Sequence, residues 1–342
     1  MIRFNNDYSR GAHPAVLQAL TDTNGESYGG YGLDPWCEKA ADEIKEHLAC
    51  PSAAVHFLVG GTQVNFTAIA ACLLPYQSVI SADTGHIHAH ETGAIEHGGH
   101  KILTVPAKDG KIDAGQIEAL GMEYRSSPIQ EHITQPRLVY LSFPTEYGTV
   151  YTLPELKRIR AVCDKYNMVL FVDGARMGYG LAASDVTLKD MARLADMFTI
   201  GGTKCGALFG EALVITDPAL KPNFRSYIKQ NGAMLAKGWL LGVQFHALFE
   251  NGLYFDICRK AVEQAMRIRA AFAARGIPSY IDSPTNQQFV ILDHDQIEAL
   301  EKKYVFEPDH NLDAAHTCVR FCTSWHTSEE DVTELIGDIQ KL

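Results

Sequence analysis

Between residues 54 and 215 one pattern recurs: a short run of consecutive apolar residues, a glycine or polar turn, then a longer stretch with apolar residues spaced three and four apart. Continuous apolar runs mark strands buried on both faces, and the wider spacing marks the helices that cover them. Ala54 to Leu58, Ser78 to Ser81, Lys101 to Val105, Leu138 to Ser142, Val169 to Val172 and Met197 to Ile200 read as strands. Helices are predicted from about Gln63 to Leu74 and from Leu153 to Tyr166, the second with Pro154 in its first turn. Such alternation implies a mostly parallel sheet flanked by helices.

After Asp217-Pro218 the pattern changes. Helical spacing dominates from Ala219 to Arg275, broken by Gly252, and Gly276-Ile277-Pro278 opens a smaller unit. There Gln288 to Leu292 and Cys318 to Cys322 read as strands, and Ser328 to Lys341 as a closing helix with Ser328 as its cap. The expected organisation is a large α/β domain over 1–250, including an N-terminal arm over 1–35, and a small α+β domain over 251–342.

Composition narrows the function classes. The 342 residues are 46% hydrophobic and 21% charged, as in ordinary globular proteins. A net charge of -11 with no basic run argues against nucleic acid, and no Lys/Arg stripe offers itself to a membrane. No apolar stretch reaches signal-peptide or transmembrane length, so the cytoplasm is the expected location. The eight cysteines are scattered without a C-x-x-C pair and read as reduced core residues.

Candidate chemistry sits at the ends of the predicted strands. Asp173 follows Val169-Leu170-Phe171-Val172, and Lys204 follows Met197-Phe198-Thr199-Ile200 across Gly201-Gly202-Thr203. A carboxylate beside an apolar strand needs a cationic partner, and a lysine in that setting tends to lose its proton. The pairing points to pyridoxal phosphate, with the acid on the pyridinium nitrogen and the lysine forming the Schiff base. Gly60-Gly61-Thr62-Gln63, between a strand and a helix, suits a single phosphate. Gly201, Gly202 and Gly206 around Lys204 would let a bulky ligand approach the backbone.

Arg176, three residues after Asp173, is a candidate salt-bridge partner for it at the strand end. Arg320, in an apolar strand, suits a carboxylate, and Glu146 is a base or a loop acid. His86 could stack on a flat cofactor and exchange a proton. It also begins the run His86-Ile87-His88-Ala89-His90, which raises a different reading, a metal-dependent hydrolase using His86 and His88. That reading requires an eight-stranded barrel, which the helical middle and small C-terminal unit do not supply.

Taken in order, these motifs resemble the threonine aldolase and β-eliminating lyase family of fold-type I pyridoxal-phosphate enzymes, whose large domain is aspartate aminotransferase-like. The resemblance runs nearly end to end, through Asn6-Asp7-Tyr8, Tyr31-Gly32-Leu33-Asp34-Pro35, Gly61-Thr62-Gln63-Val64-Asn65, His86 to Ala94, Asp173-Gly174-Ala175-Arg176 and Lys204. It implies that Lys204 carries the cofactor, Asp173 pairs with its ring nitrogen, His86 stacks on the ring, and Gly61, Thr62 and Gln63 lie at the phosphate. Asn6, Arg176 and Arg320 would bind the carboxylate of an amino-acid substrate. It also implies a homodimer or homotetramer with shared active sites, to which Tyr31, Lys229 and Lys237 would contribute from a neighbour. The implied reaction is retro-aldol cleavage of β-hydroxy-α-amino acids, with His86 or Glu146 as base; β-elimination, transamination and racemisation are the alternatives at the same site. Two departures stand out: Pro144-Thr145-Glu146-Tyr147-Gly148 where relatives have Asn-Thr-His-Asn-Gly, and Asn6 where serine is common.

Overall fold

The computed structural model describes residues 1–342. Twelve strands occur in chain order: β1 (Ile2–Arg3), β2 (Ala54–Leu58), β3 (Gln77–Ala82), β4 (Lys101–Val105), β5 (Gln135–Ser142), β6 (Val169–Asp173), β7 (Met197–Gly201), β8 (Glu211–Ile215), β9 (Gln287–Asp293), β10 (Tyr304–Val305), β11 (Glu307–Asn311) and β12 (His316–Cys322). Seven form the main sheet in the order β2-β8-β7-β6-β5-β3-β4. All are parallel except β8, which runs antiparallel to both β2 and β7. The predicted mostly parallel sheet with helices on both faces is therefore present, and no barrel closes.

Helices on both faces explain the unbroken apolar runs. Along β5 and β6, Val139, Leu141, Leu170 and Val172 enter one core, whereas Leu138, Tyr140, Val169 and Phe171 enter a second core across the sheet. The helix Leu153–Tyr166 begins on a reciprocal cap between Thr152 and Glu155, with Pro154 in its first turn. The helix Glu329–Ile339 is capped by Ser328, whose side chain accepts from the Asp331 amide.

A third core surrounds the three-stranded antiparallel sheet β11-β12-β9. It includes Phe4 from the N-terminal segment, because β1 pairs with β10. The helix Leu253–Ala274 serves two cores: Tyr254, Ile257 and Cys258 pack with the large sheet, and Ile268 and Phe272 with the small one. Gly252 caps its start at φ +71°, the left-handed region that glycine adopts at little cost. No helix is long and apolar enough to cross a membrane.

Chain order reverses beside β3, since β4 lies on one side of it and β5 on the other. In open sheets of this kind a crevice opens at that point beyond the carboxyl ends of the strands. Here the loops after β3 and β5 meet, the His86 amide donating to Glu146 Oε1 at 2.8 Å.

Candidate active site

The strand ends enclose a cavity of about 260 Å³ whose lining includes Gly60, Gly61, Thr62, Asp173 and Lys204. A larger chamber of about 850 Å³ adjoins it, and His86, Glu146, Arg176 and Lys204 line both. Arg320 lines only the larger one.

Asp173, at the end of β6, is buried and surrounded by donors. Tyr140 Oη donates to its Oδ2 at 2.6 Å, Asn65 Nδ2 to the same oxygen at 2.9 Å, and the Ala175 amide to Oδ1 at 2.9 Å. Burial pushes its pKa up, but the His86 charge and these hydrogen bonds more than offset that, leaving it below the usual value. The group is thus an anion in a buried site, poised for a further cation.

Lys204 is half-buried, and its carbonyl accepts from Tyr179 Oη at 2.6 Å. Burial and then the Arg176 charge lower its pKa, against the pull of Asp7, Glu211 and Asp173. Glu211, at the start of β8, lies in the same cavity, and burial raises its pKa to about 7. Gly60 and Gly61 open the helix Gly61–Cys72, and a Cβ at either would meet nothing within 4 Å, so the space before the helix terminus is free for an anion. The glycines near Lys204 act differently. A Cβ at Gly201 would lie 2.2 Å from the Ala175 carbonyl, and one at Gly202 2.5 Å from that of Gly210. At Gly206, with φ +100°, it would lie 2.6 Å from Ile257. These positions let the chain pack against itself, contrary to the expectation that they clear room for a ligand.

His86 is held at one edge. Its Nδ1 lies 2.7 Å from Glu91 Oε1, and the same oxygen accepts from Asn65 Nδ2 at 2.7 Å. A chain of hydrogen bonds thus runs from the half-buried His86 through the buried Glu91, Asn65 and Asp173 to Tyr140. Burial lowers the His86 pKa, but the Glu91 hydrogen bond and the charges of Asp173 and Glu91 raise it further, for a net upward shift. Glu146 Oε1 also accepts from Ser142 Oγ at 2.5 Å, while its Oε2 is buried without a partner. Burial raises the Glu146 pKa.

Arg176 pairs with Asp7, not with Asp173: its Nε and Nη2 donate to the two carboxylate oxygens at 2.7 and 3.0 Å. Arg320 donates from Nη2 to the Asn5 carbonyl at 3.0 Å and from Nη1 to Gln287 at 3.3 Å, leaving Nε buried and unpartnered. The N-terminal segment therefore reaches both arginines, but through Asn5 and Asp7. Asn6 turns its Oδ1 to the Tyr8 amide and Ser9 hydroxyl and lines neither cavity. Gln63 is half-buried and lines neither cavity, its Oε1 accepting from the Val59 amide at 3.4 Å.

The histidine run does not converge. His86 and His90 line the larger chamber with ring centroids 5.5 Å apart, whereas His88 is exposed and lines neither cavity. Tyr31 lies in a separate cavity of about 570 Å³, with Lys229 Nζ 4.9 Å from its ring centre, and Lys237 is exposed. Within one chain none of these three lines the Lys204 cavities.

Sequence reasoning passed over Asp7, Asn65, Glu91 and Glu211. Asn65 gave a usable signal, an amide set between the apolar Val64 and Phe66 on a helix; Glu91 and Glu211 looked like ordinary acids until the fold enclosed them.

The β-eliminating lyase family model matches residues 12–299. The chain belongs to the β-eliminating lyase family. Among its relatives it is similar to the low specificity L-threonine aldolase of Pseudomonas sp. (strain NCIMB 10558), 29% identical over 99% of this chain and 97% of that protein. The solved structure of Leishmania major threonine aldolase is 43% identical, with a TM-score of 0.97 covering 100% of this chain and 99% of that one. Aspartate aminotransferase from Thermus thermophilus, 15% identical, superposes with a TM-score of 0.70 over 100% of this chain and 91% of its own, a likeness of fold alone. The β-eliminating lyase fold therefore places Asp173, Lys204 and the Gly61 helix around one cavity whose free space, buried anion and desolvated amine fit pyridoxal phosphate.

Proposed function

We propose that this protein is a pyridoxal-phosphate-dependent aldehyde-lyase that cleaves β-hydroxy-α-amino acids such as threonine and allo-threonine to glycine and an aldehyde. The observation that carries the reading is the arrangement of Lys204, Asp173 and the open helix terminus at Gly61 around one cavity, in a chain similar along its whole length to threonine aldolases.

Pyridoxal phosphate, when bound, supplies an electron sink for the carbanion left when the Cα–Cβ bond breaks. Lys204 provides the amine, kept reactive by desolvation and by Arg176. Asp173, kept anionic by its donors, would face the ring nitrogen and favour its protonated form. The amides and hydroxyl at Gly61 and Thr62 would hold the phosphate, with Gln63 bracing the turn before them through the Val59 amide. His86 forms one wall. Arg320, with its unpartnered Nε, is the principal clamp for the substrate carboxylate; Arg176 assists with what Asp7 leaves free.

The geometry favours Glu146 over His86 as base for the β-hydroxyl proton. His86 Nδ1 is engaged by Glu91, and its raised pKa disfavours release of the ring's own proton and so uptake of another, whereas Glu146 Oε2 has no competing partner and burial raises its basicity. A carboxylate would thus do the work for which the family resemblance leads one to expect a histidine, and Ser142 and the His86 amide fix its other oxygen.

Tyr31 and Lys229 sit together away from their own chain's Lys204, which suits a homodimer or homotetramer whose active sites are shared; light scattering of the purified protein measures the state. Incubation of cofactor-loaded protein with L-threonine, L-allo-threonine and phenylserine should release glycine and the matching aldehyde from at least one. Release from none overturns the activity.

A further inference from the structure

On the cofactor reading above, the phosphate enters a cavity that already holds a buried acid, Glu211. β8 begins with this residue and runs antiparallel between β2 and β7, which sets Glu211 beside Leu58 on one side and Gly201 on the other. Leu58 leads through Val59 into Gly60-Gly61-Thr62, and Gly201 leads through Gly202 and Thr203 to Lys204. Glu211 is thus wedged between the turn that opens the helix Gly61–Cys72 and the turn that carries the amine. Its side chain leaves β8 on the same face as Leu213 and Ile215, which share a core with Val64 and Ala68 of that helix. It lines the cavity of about 260 Å³ together with Gly60, Gly61 and Thr62.

A phosphate group carries close to two negative charges at neutral pH. No cation around Glu211 is free to separate the two. Arg176 gives Nε and Nη2 to Asp7, His86 is held by Glu91, and Lys204 supplies the amine that the cofactor's aldehyde requires. Asp173 and Glu146, the other charged groups of the cavity, are themselves acids. His56, on the same face of β2, stacks on Phe224 and is kept neutral by burial, its pKa lowered to about 4. The helix Gly61–Cys72 brings no charged side chain, and from the helix Phe224–Gln230 Arg225 donates to the Tyr31 carbonyl while Lys229 lies over the Tyr31 ring.

A neutral acid resolves the conflict. Glu211 Oε2 accepts from the Gly202 amide at 3.0 Å, which fixes one oxygen and leaves the other to carry a proton. Burial raises the Glu211 pKa to about 7 against the Thr203 hydroxyl, the Lys204 charge and the Gly202 amide, and a neighbouring dianion raises it further. We propose that Glu211 takes up a proton from solvent when the cofactor's phosphate enters and, as a neutral acid, donates a hydrogen bond to it where a cation would otherwise be needed. Lys204 is affected in turn: the Glu211 charge is one of those that raise its pKa, so neutralising Glu211 eases loss of the amine's proton.

The test is calorimetric titration of the full-length protein, freed of cofactor, with pyridoxine 5′-phosphate, whose alcohol in place of the aldehyde prevents a bond to Lys204. Titrations in buffers of different ionisation enthalpy count the protons taken up. At pH 8 wild type should take up about one proton per site more than E211Q, and at pH 5.5, where Glu211 is already neutral, about the same number. The Kd of wild type should lie within about twofold of that of E211Q at pH 6 and be about tenfold weaker at pH 8. E211A, which keeps no donor, should bind about tenfold more weakly than E211Q at both pH values. Equal proton uptake by wild type and E211Q at pH 8, with the ligand bound by both, means that Glu211 stays charged, as it would against a cation from a neighbouring subunit; that result, or equal binding by E211A and E211Q, overturns the proposal and leaves the cofactor reading standing. Binding to none of the three proteins overturns both.

Discussion

The two cavities share four residues, yet they are built by opposite means. The inner one is made at the carboxyl ends of parallel strands, where Asp173 is fixed by Tyr140, Asn65 and Ala175, and Lys204 follows β7 after a turn packed without side-chain room. The outer one is made from loops and the bulged strand β11, with Asp309 exposed and Tyr280 over a third exposed. Rigid elements with satisfied hydrogen bonds hold reacting groups in place, whereas loops and edges can vary without disturbing them. On the proposed function the rigid strand ends hold the groups that break the bond, and substitutions on the loops and edge of the outer cavity should be tolerated better.

The largest effect is expected at Lys204: K204A should lose both turnover and the visible absorption band of the bound cofactor, read in one spectrum and one assay. Next comes Asp7. D7N leaves the buried Arg176 without its counter-charge and should cost about 3–5 kcal/mol of stability, measured by urea unfolding. An unchanged midpoint would mean that the arginine finds another partner.

Glu211 gives a pH-dependent case. Its folded pKa of about 7 lies above the ordinary 4.5, so the folded state binds the extra proton and stability falls as pH rises through that interval. E211Q removes the loss: relative to wild type, the apoprotein variant should gain up to about 3 kcal/mol between pH 5 and pH 8, and a constant difference would contradict the assignment. Smaller still is E91Q, which should lower the His86 pKa, followed by NMR of labelled histidine in the apoprotein, and an unchanged value would contradict the pairing. The least effect on threonine cleavage is expected in the outer chamber, where D309N should stay within about twofold.

Much of the inner cavity was legible because parallel strands write themselves as unbroken apolar runs, and the residues just past such a run lie at the carboxyl edge where ligands bind. Asp173, Lys204 and Gly61 are found that way. The chain could not reveal which partner each charged group takes. Arg176 stands three residues from Asp173 but pairs with Asp7, 169 positions away, because the turn after β6 directs it toward the N-terminal segment. Asn6 and Asp7 are adjacent, and only the second reaches an arginine side chain. β8 is hard to read as antiparallel, since it is buried on both faces like its neighbours, and β11, Glu-Pro-Asp-His-Asn, has no apolar signal at all. The outer chamber depends on that last strand, so its character emerges only from the fold.

Breakage of the Cα–Cβ bond in the Lys204 cavity is best checked by a mass balance on L-threonine with the cofactor-loaded enzyme, scoring glycine, acetaldehyde, ammonia and 2-oxobutyrate in the same sample. Equimolar glycine and acetaldehyde, with neither ammonia nor keto acid, is the expected outcome. Ammonia and 2-oxobutyrate without glycine would mean that the cavity breaks the bond to the β-hydroxyl instead.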